Sequence, residues 1–573
     1  MICGPHSESK DDDTQGSALY WQLQPLIDPF GLVRVTAKAA QAWGQHPASL
    51  VDWMGQWVQG VSRLSAYAVS RHLNSPVESI EKPHPEDDRF VHPVWTEKLT
   101  WDVLKQWYLF NTHWLQDALY STPGLSDCER ARSAFWLRQW LNAVAPTNFF
   151  VLNPAAQERA YESQGRSLYS GQKNLLRDMA RGDIAMTDLS AFKVGQNLAT
   201  TPGAVVFRNR MLEVIHYVPT TPTVQKTPIV LVSPWINKYY VLDLDEKKSL
   251  VRYLVSQGFA VFITSWKNPT SEDRNVGFDD YLTEGIDRIA QVARSISGSE
   301  QVHLAGYCIG GTLTMTYTAW LAAQGRDHEI ASTTLFTTLT DFSRPGDIEV
   351  FLDKEGLAFV DRKMAKRGYL DGKDMAASFR MLRSNSLIWN YWVSNYLIGE
   401  TPRPFDLLYW NMDTTRMPQK MHSFYLREFY VNNRLIQPDS LTLAGYPIDL
   451  GRVKTPIFMV STEEDHIAPW KQTWALTQLV PHAPLTFALS SSGHILGVVN
   501  PPSPKSKRSY RMGAVKVGDQ QEDWLVKQKN EAGSWWPSWA KWLSARGGPQ
   551  VKPVLDNDHY PKLEDAPGRY VLA

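Results

Sequence analysis

At 573 residues the chain is longer than one hydrophobic core usually supports, which predicts at least two folding units. Its 59 basic and 59 acidic residues cancel, so no net charge recruits nucleic acid or an anionic membrane surface. Three widely separated cysteines, Cys3, Cys128 and Cys308, argue against a disulfide framework and favour a reducing, cytosolic compartment. Residues 1–17 are polar and acidic, so we expect disorder and no signal peptide, and no apolar run is long enough for a transmembrane segment.

The chain up to residue 203 carries a helical pattern. HPVWTEKLTWDVLKQWYLFNTHWLQDALYS repeats Trp, Leu and Phe at the steps of an amphipathic helix. ARSAFWLRQWLNAVAP repeats the pattern and stops at a proline, which cannot continue a helix. We therefore predict a mainly α-helical N-terminal domain over residues 1–203.

From residue 204 the pattern changes to alternating strands and helices. AVVFRNRMLEVIHYVP is β-rich, and TPIVLVSPWI, FAVFITSW and QVHLAGYC are short apolar runs typical of strands covered on both faces. Between them, DEKKSLVRYLVSQG and FDDYLTEGIDRIAQVARSIS have helical periodicity. The alternation predicts a doubly wound α/β domain over residues 204–573.

Residues 341–450 interrupt this alternation with helical, aromatic sequence. The alternation resumes in VKTPIFMVSTEEDHIAP and PLTFALSSSGH, each a strand followed by a polar turn. In an open α/β sheet, the loops at the carboxyl ends of the strands gather around the site. We predict that residues 341–450 form a helical cap over that site.

A cysteine framed by glycines is the first sign of chemistry. Gly306-Tyr307-Cys308-Ile309-Gly310 fits the nucleophile-elbow pattern, with cysteine where serine is usual. The apolar VHLA before it predicts a strand, and TLTMTYTAWLAAQG after it predicts a helix whose N-terminus would favour the thiolate. Because the pattern is short, a small buried cysteine is the competing interpretation.

The order of later polar residues favours a catalytic triad. In the α/β-hydrolase arrangement, the acid and then the histidine follow the nucleophile, each after a late strand. Asp465 follows TPIFMVSTEE, and His494 follows LTFALSSSG. We predict that Asp465 and His494 act together with Cys308.

Four other residues compete for these roles. Glu463 and Glu464 are alternative acids, but their side chains are longer and they come earlier in the turn. His466 adjoins Asp465, so its side chain should diverge from the carboxylate, and we interpret it as a turn or pocket-lining histidine. His303 lies within the strand before the elbow and is interpreted as a buried, hydrogen-bonded group.

An oxyanion hole requires two donors. The backbone N–H of Ile309 follows the nucleophile and is the predicted first donor. The second should come from the loop after an earlier strand, and Trp235–Asn237 in VSPWINKYY is the candidate segment. No metal-ligand spacing and no glycine-rich phosphate loop occurs in the sequence, so we expect neither a metal nor a cofactor.

Several long strings in the chain resemble polyhydroxyalkanoate synthases. They are GYCIGGT around Cys308, EDHIAPW around Asp465, GHILGVVNPP around His494, SPWINKYYVLDL, TSWKNP, LRSNSLIWNYWVSNYLIGE, FDLLYWN and GSWWPSWAKWL. The resemblance runs from about residue 90 to the C-terminal PGRYV, and it is specific because unusual strings recur in order. The length and single long chain resemble the class I enzymes, which favour short-chain monomers. In the cysteine box, only the variable positions Tyr307 and Ile309 depart from the family.

The resemblance implies an α/β-hydrolase fold and an acyltransferase. Such an enzyme polymerises (R)-3-hydroxyacyl-CoA, for example 3-hydroxybutyryl-CoA, into a polyester and releases CoA, with the CoA thioester as substrate and no cofactor. Cys308 would carry the growing chain, and His494 would activate Cys308. Asp465 would orient His494 or help to activate the 3-hydroxyl of the incoming monomer.

The resemblance also implies a setting for the enzyme. The family works as a homodimer on cytoplasmic polyester granules beside granule-associated proteins, and its N-terminal domain is implicated in granule association. The chain has 23 Trp, and this residue suits an interface, although a buried helical core explains it equally well. The tryptophans of the N-terminal domain are Trp21, Trp43, Trp53, Trp57, Trp95, Trp101, Trp107, Trp114, Trp136 and Trp140.

Two other functions fit the same motifs. A thioesterase or intracellular polyester depolymerase would use the same fold, because one fold serves many reactions. A granule-coat protein with a vestigial site is the third interpretation. The sulfur of Cys308 favours transfer, since an acyl group that moves from CoA to cysteine passes between two thioesters and stays reactive.

Overall fold

The computed structural model describes residues 32–85 and 87–573, which form two compact units. Of the described residues, the first unit contains those from 32 to 189 together with 377–405, and the second contains residues 190–376 and 406–573. The predicted disorder of residues 1–17, and Trp21, lie outside the described residues. No helix in the described ranges combines the length and the hydropathy that a bilayer crossing needs.

The first unit is helical, which confirms the predicted helical N-terminal region. Helix α5 starts with a capping box, in which Ser126 and Glu129 each accept the backbone N–H of the other, and it ends before Pro146. Two π-helical turns come from the later segment. These elements are α1 (Leu32–Gln45), α2 (Pro47–His72), α3 (Val94–Glu97), α4 (Leu99–Ser121), α5 (Asp127–Ala143), α6 (Pro154–Glu162), α7 (Arg166–Arg181), and the π turns Asn385–Trp389 and Trp392–Leu397.

The tryptophans of this unit divide between core and surface. Trp95 is 1% exposed, whereas Trp107 is 43% and Trp140 is 58% exposed. The ring of Trp53 stacks on that of Trp114 with centroids 3.6 Å apart. Each of the two interpretations from the sequence therefore describes some of these residues. The half-buried tryptophans of the described part of this unit are Trp43, Trp53, Trp57, Trp101, Trp114, Trp136, Trp389 and Trp392.

The second unit is built on a 12-stranded sheet, which runs β14-β13-β12-β11-β6-β5-β3-β4-β2-β1-β16 with β15 paired to β3. The six strands from β12 to β4 in that order are parallel, and the strands on either side are antiparallel. The strands of this sheet are β1 (Gly203–Arg208), β2 (Leu212–Tyr217), β3 (Val224–Val232), β4 (Phe259–Trp266), β5 (Val302–Tyr307), β6 (Ile330–Phe336), β11 (Ile457–Thr462), β12 (Leu485–Ser490), β13 (Ser509–Val515), β14 (Glu531–Ala532), β15 (Gln550–Val551) and β16 (Glu564–Asp565).

Two short hairpins and a set of helices complete the second unit. The hairpins pair β7 (Tyr369–Leu370) with β8 (Met417–Pro418) and β9 (Leu441–Leu443) with β10 (Tyr446–Ile448). Helices α8, α10 and α11 pack on the parallel strands. The helices are α8 (Leu250–Ser256), α9 (Phe278–Asp280), α10 (Asp287–Ser297), α11 (Ile309–Ala323), α12 (Lys354–Arg367), α13 (Gly372–Leu382, which ends in the first unit), α14 (Asp406–Met412), α15 (Gln419–Phe424), α16 (Trp470–Thr473), α17 (Leu476–Leu479), α18 (Gln521–Lys527) and α19 (Trp536–Ser544).

The α/β domain predicted from the alternation is confirmed, as is the α/β-hydrolase fold that the resemblance implies. The apolar runs predicted as strands form β3, β4, β5, β11 and β12 of the parallel region, because side chains on both faces of these strands are buried. The segment 341–450, predicted as one cap, contributes residues 377–405 to the helical unit and its remainder to the sheet unit. The domain boundary at residue 203 and the role of 341–450 as a cap stay predictions.

Candidate active site

Cys308 lies on a sharp turn between β5 and α11. Its φ is 54° and its ψ is −123°, a backbone conformation that costs a residue with a side chain free energy. The turn is held on both sides: the N–H of Cys308 donates to the Phe336 carbonyl at 2.9 Å, and its carbonyl accepts the N–H of Gly311 at 2.9 Å. The strand, strained turn and helix are the context that the elbow pattern requires.

The glycines of the elbow are there because nothing larger fits. A Cβ on Gly306 would lie 2.5 Å from the Cα of Gly311, and one on Gly310 would lie 2.8 Å from the carbonyl oxygen of Ser233. All of these are backbone atoms that cannot move aside. The absence of a Cβ at these glycines therefore allows β5, β3 and α11 to approach closely beside Cys308.

The predicted acid and base lie at the same edge of the sheet. Asp465 follows β11 and His494 follows β12, and these parallel neighbours end together. The Nδ1 atom of His494 is 2.7 Å from Oδ2 of Asp465. The other carboxylate oxygen, Oδ1, accepts the backbone N–H groups of Ile467 at 2.9 Å and Ala468 at 2.8 Å. Both oxygens of Asp465 are therefore engaged.

The charges of this pair stabilise each other. Burial alone would lower the pKa of His494, but the Asp465 carboxylate and the Cys308 sulfur raise it to about 10. Burial alone would raise the pKa of Asp465, but the charge and hydrogen bond of His494 and the two backbone donors lower it. The arrangement favours an imidazolium between the Asp465 carboxylate and the Cys308 sulfur.

The competing polar residues take other positions. Glu463 is exposed and pairs with Arg511 at 3.1 Å, and Glu464 is also exposed. His303 is fully buried, with Nδ1 2.7 Å from the Ser332 hydroxyl oxygen, which agrees with the buried polar role predicted for it. His466 is half-buried, and the contact to the Asp465 carboxylate is made by His494.

The predicted oxyanion donors flank the elbow. Ile309 is the first residue of α11, and no hydrogen bond from its backbone N–H is found within the described part of the chain. The Trp235–Asn237 loop follows β3, whose Val232 pairs with Gly306. Thr415 holds this loop through its N–H, which donates to the Ile236 carbonyl at 3.2 Å. The role of both segments as oxyanion donors stays a prediction.

Sequence reasoning missed three tyrosines around the sulfur. Tyr307 donates from its phenol to the His494 carbonyl at 3.2 Å. Tyr425 and Tyr430 are buried in a π-helical turn (Tyr425–Val431), and burial is the main cause that raises the pKa of each phenol. The Cys308 sulfur also raises both pKa values, after Tyr430 in the case of Tyr425. Their signal in the sequence is only an aromatic repeat, which is equally typical of a core.

Two tryptophans also support the histidine loop. The indole N–H groups of Trp535 and Trp536 donate to the carbonyls of Gly497 and Val498, each at 2.9 Å. Both rings are buried. The C-terminal string GSWWPSWAKWL, noted above only as part of a resemblance, therefore holds the loop that carries His494.

The parallel sheet and its elbow define a protein of the α/β-hydrolase class. A sequence profile described as alpha/beta hydrolase fold matches residues 228–501. Among solved structures, a monoacylglycerol lipase from Paleococcus ferrophilus aligns with 58% of this chain and 99% of its own, at 13% identity and a TM-score of 0.30, too low to add to the argument.

Closer relatives narrow the class to a family. A profile described as poly-beta-hydroxybutyrate polymerase (PhaC) N-terminus matches residues 86–254. A poly(3-hydroxyalkanoate) polymerase from Methylorubrum extorquens is 40% identical over 558 residues, 96% of this chain and 91% of that protein. The PhaC subunit of the polymerase from Cupriavidus necator is 41% identical over 494 residues, 85% of this chain and 83% of that protein. The chain belongs to the poly(3-hydroxyalkanoate) polymerase family, a family of acyltransferases.

Proposed function

We propose that this chain polymerises (R)-3-hydroxyacyl-CoA into polyhydroxyalkanoate with release of CoA, and that Cys308 is the nucleophile. The observation that carries the proposal is the position of Cys308, on a strained elbow at the N-terminus of α11 beside the His494–Asp465 pair. The helix N-terminus and the imidazolium both favour a thiolate there. The proposed chemistry uses no metal and no cofactor.

The first step loads the acyl group. The Cys308 thiolate attacks the thioester carbonyl carbon, and the Ile309 N–H donates to the oxyanion that forms. The bond from this carbon to the CoA sulfur then breaks. The departing thiolate takes the proton from His494, which leaves a neutral imidazole and an acyl group on Cys308.

The second step extends the chain. Neutral His494 takes the proton from the 3-hydroxyl of the next monomer, and that oxygen attacks the acyl carbon on Cys308. An ester bond forms, the carbon–sulfur bond to Cys308 breaks, and the thiolate–imidazolium pair is restored. The lengthened chain, now a CoA thioester, returns to Cys308 by the first step. We assign to Asp465 the orientation of His494, because both of its oxygens already accept hydrogen bonds.

The proposal extends to the setting of the enzyme. We place it in the cytoplasm at the surface of polyester granules, together with granule-associated proteins, as a homodimer that prefers short-chain monomers. Apolar side chains exposed along one face of α2 support contact with an apolar surface, since Val51 is 68%, Met54 is 57% and Val58 is 59% exposed. Serine at these three positions should weaken co-sedimentation with isolated granules and leave activity on soluble substrate unchanged.

Product analysis tests the proposed reaction. Purified protein is incubated with (R)-3-hydroxybutyryl-CoA, free CoA is followed with a thiol reagent, and the product is isolated and sized. Polymer together with stoichiometric CoA is expected. Soluble 3-hydroxybutyrate as the sole product would instead identify a thioesterase, and loss of polymer from added granules would identify a depolymerase.

Variants test the assigned residues. Cys308→Ala should abolish CoA release, and His494→Gln should lower it at least about a hundredfold, as expected for loss of an acid–base group. The matched control is His328→Gln, which removes an exposed histidine before β6, at the opposite end of the strand from the site, and should leave the rate within about threefold. Full activity of Cys308→Ala would support the vestigial-site interpretation.

A further inference from the structure

Tyr307 contacts His494 in two ways. Its phenol donates a hydrogen bond to the His494 carbonyl at 3.2 Å. Its ring stacks on the imidazole, with centroids 5.5 Å apart and planes 27° from parallel. Tyr307 is 1% exposed and packs in the central apolar cluster of the sheet unit, so its ring has little freedom.

Tyr307 is also joined to the nucleophile by a peptide bond. It ends β5, pairs with Phe336 of β6, and passes directly into Cys308 on the elbow. His494 reaches the same place from a loop after β12, whose neighbouring residues are anchored by Trp535 and Trp536. One tyrosine therefore connects the strand that carries the sulfur to the loop that carries the base.

The stacking of the Tyr307 ring on the imidazole also affects the charge of His494. Three groups face His494: the Asp465 carboxylate from the turn after β11, the Cys308 sulfur from the elbow, and the Tyr307 ring from β5. The face of an aromatic ring attracts a cation within about 6 Å, so the Tyr307 ring favours the imidazolium over the neutral imidazole.

We propose that Tyr307 is a positioning residue that holds His494 against Cys308 and stabilises its protonated form. This inference rests on the proposed function, in which His494 is the acid and base. The hydrogen bond fixes the loop, and the ring fixes the orientation and charge of the imidazole. Tyr307 is placed to act through His494, so its removal should change turnover more than substrate binding.

Two variants separate these contributions. Tyr307→Phe keeps the ring and loses the hydrogen bond, and Tyr307→Leu loses both. The matched control is Tyr510→Phe, which removes the phenol of a tyrosine in the same apolar cluster whose partners are Glu531 and Ser538. All three variants are first checked for folding by circular dichroism and thermal unfolding.

The rate of Cys308 alkylation reports on the interaction between Cys308 and His494, and it can be measured without substrate. The rate of iodoacetamide modification of Cys308 is followed by peptide mass spectrometry between pH 5 and 11, together with kcat and KM for CoA release. For Tyr307→Leu, the pH of half-maximal alkylation should rise by roughly half to one unit, because the imidazolium partner is less stable. For Tyr307→Phe this pH should stay unchanged while kcat falls about threefold to tenfold at constant KM.

The proposal has clear contrary results. A Tyr307→Leu variant that unfolds at lower temperature, yet keeps the wild-type alkylation profile and kcat, shows a purely structural role and overturns it. If Tyr307→Leu does not fold, Tyr307→Phe decides, and wild-type kcat in that variant overturns the positioning role. Absence of polymer from the wild-type protein would reject the proposed function instead, since alkylation is read without any acyl-CoA.

Discussion

At the scale of single residues, the site depends on one buried histidine between two acidic partners. The pKa of His494 is raised to about 10, so the imidazole is protonated at neutral pH, with Asp465 on one side and the Cys308 sulfur on the other. Burial of the pair is tolerated because each charge has a partner and the carboxylate has two backbone donors.

This charge arrangement makes stability depend on pH. The folded pKa of His494 lies above the unfolded value of about 6.5, so its stabilising contribution is complete below that pH and is lost as the pH rises through about 10. We expect the difference in Tm between the wild-type protein and His494→Gln to shrink from pH 6.5 to pH 10. Calorimetry across this range measures it. A constant difference would contradict the assigned protonation state.

At the scale of elements, the elbow depends on backbone contacts between β3, β5 and α11. A Cβ on Gly310 would meet the carbonyl oxygens of Val232 and Ser233, the latter at 2.8 Å, and neither can give way without shifting β3. A Cβ on Gly493, beside His494, would instead lie 3.7 Å from the nearest atom, the carbonyl oxygen of Glu464. These two glycines therefore make a matched pair.

We expect Gly310→Ala to destabilise the sheet unit by about 1–3 kcal/mol, as overpacking does in other cores. It should also slow alkylation of Cys308, because the strained turn can no longer form. Gly493→Ala should keep the wild-type Tm. Equal Tm values for the two variants, measured by thermal unfolding, would show that close packing does not shape the elbow.

The buried carboxylate of Glu213 in β2 binds the backbone of the C-terminal residues. Glu213 is fully buried, pairs with Arg208 at 2.7 Å, and accepts the backbone N–H groups of Arg569 at 3.1 Å and Tyr570 at 3.0 Å. Without it, the two backbone amides lose their acceptor, and the Arg208 guanidinium keeps only Glu564 as an ion-pair partner.

Glu213→Ala should therefore cost about 1–3 kcal/mol, because backbone N–H groups of the C-terminal segment are left without an acceptor. We expect faster cleavage of residues near Arg569 in limited trypsin digestion, followed by mass spectrometry. The control is Glu522→Ala, whose carboxylate is 72% exposed beside Lys471 and should contribute little. Cleavage at the wild-type rate in Glu213→Ala would show that other contacts hold the C-terminal segment.

At the scale of the whole molecule, the division of the chain does not follow its linear order. Residues 377–405 belong to the helical unit, where Arg380 pairs with Asp183 at 3.0 Å and Asn142 donates to the Ser384 hydroxyl at 3.0 Å. Gly171 of α7 lies against the backbone of Tyr396, so that a Cβ would come 2.9 Å from its carbonyl carbon. The helical unit is thus completed by a segment that lies between the first six and the last six strands of the sheet in the chain.

Two glycine substitutions in this unit test that arrangement. Gly171→Ala should lower the stability of the unit, since the added methyl group meets backbone, and helix propensity alone would predict a gain of about 0.5–1 kcal/mol. Gly55→Ala, in α2 with open space around the Cβ, should show that gain. Thermal unfolding followed at 222 nm compares them. A gain in both variants would show that α7 does not pack closely on residues 392–397.

The sequence predicts the candidate catalytic residues better than it predicts the packing of helices into units. Cys308, Asp465 and His494 could be placed together because each follows a recognisable strand, and parallel strands end at a common edge. The contact of Tyr307 with His494, and the position of Tyr425 and Tyr430 near the sulfur, could not be predicted, because the pattern of an aromatic residue in the sequence is the same in a core and in a site. Residues 377–405 belong to the helical unit because of long-range packing, and the helical periodicity of a sequence does not predict which helices pack together.

The stacked tryptophans of the helical unit have an optical consequence. Trp53 lies between Trp43 and Trp114, with ring centroids 5.5 and 3.6 Å away. Identical chromophores this close share their excited states, so the three indoles should give a paired positive and negative band in circular dichroism. That band is a spectroscopic reporter built into α1, α2 and α4, and it would follow the folding of these helices without any added label.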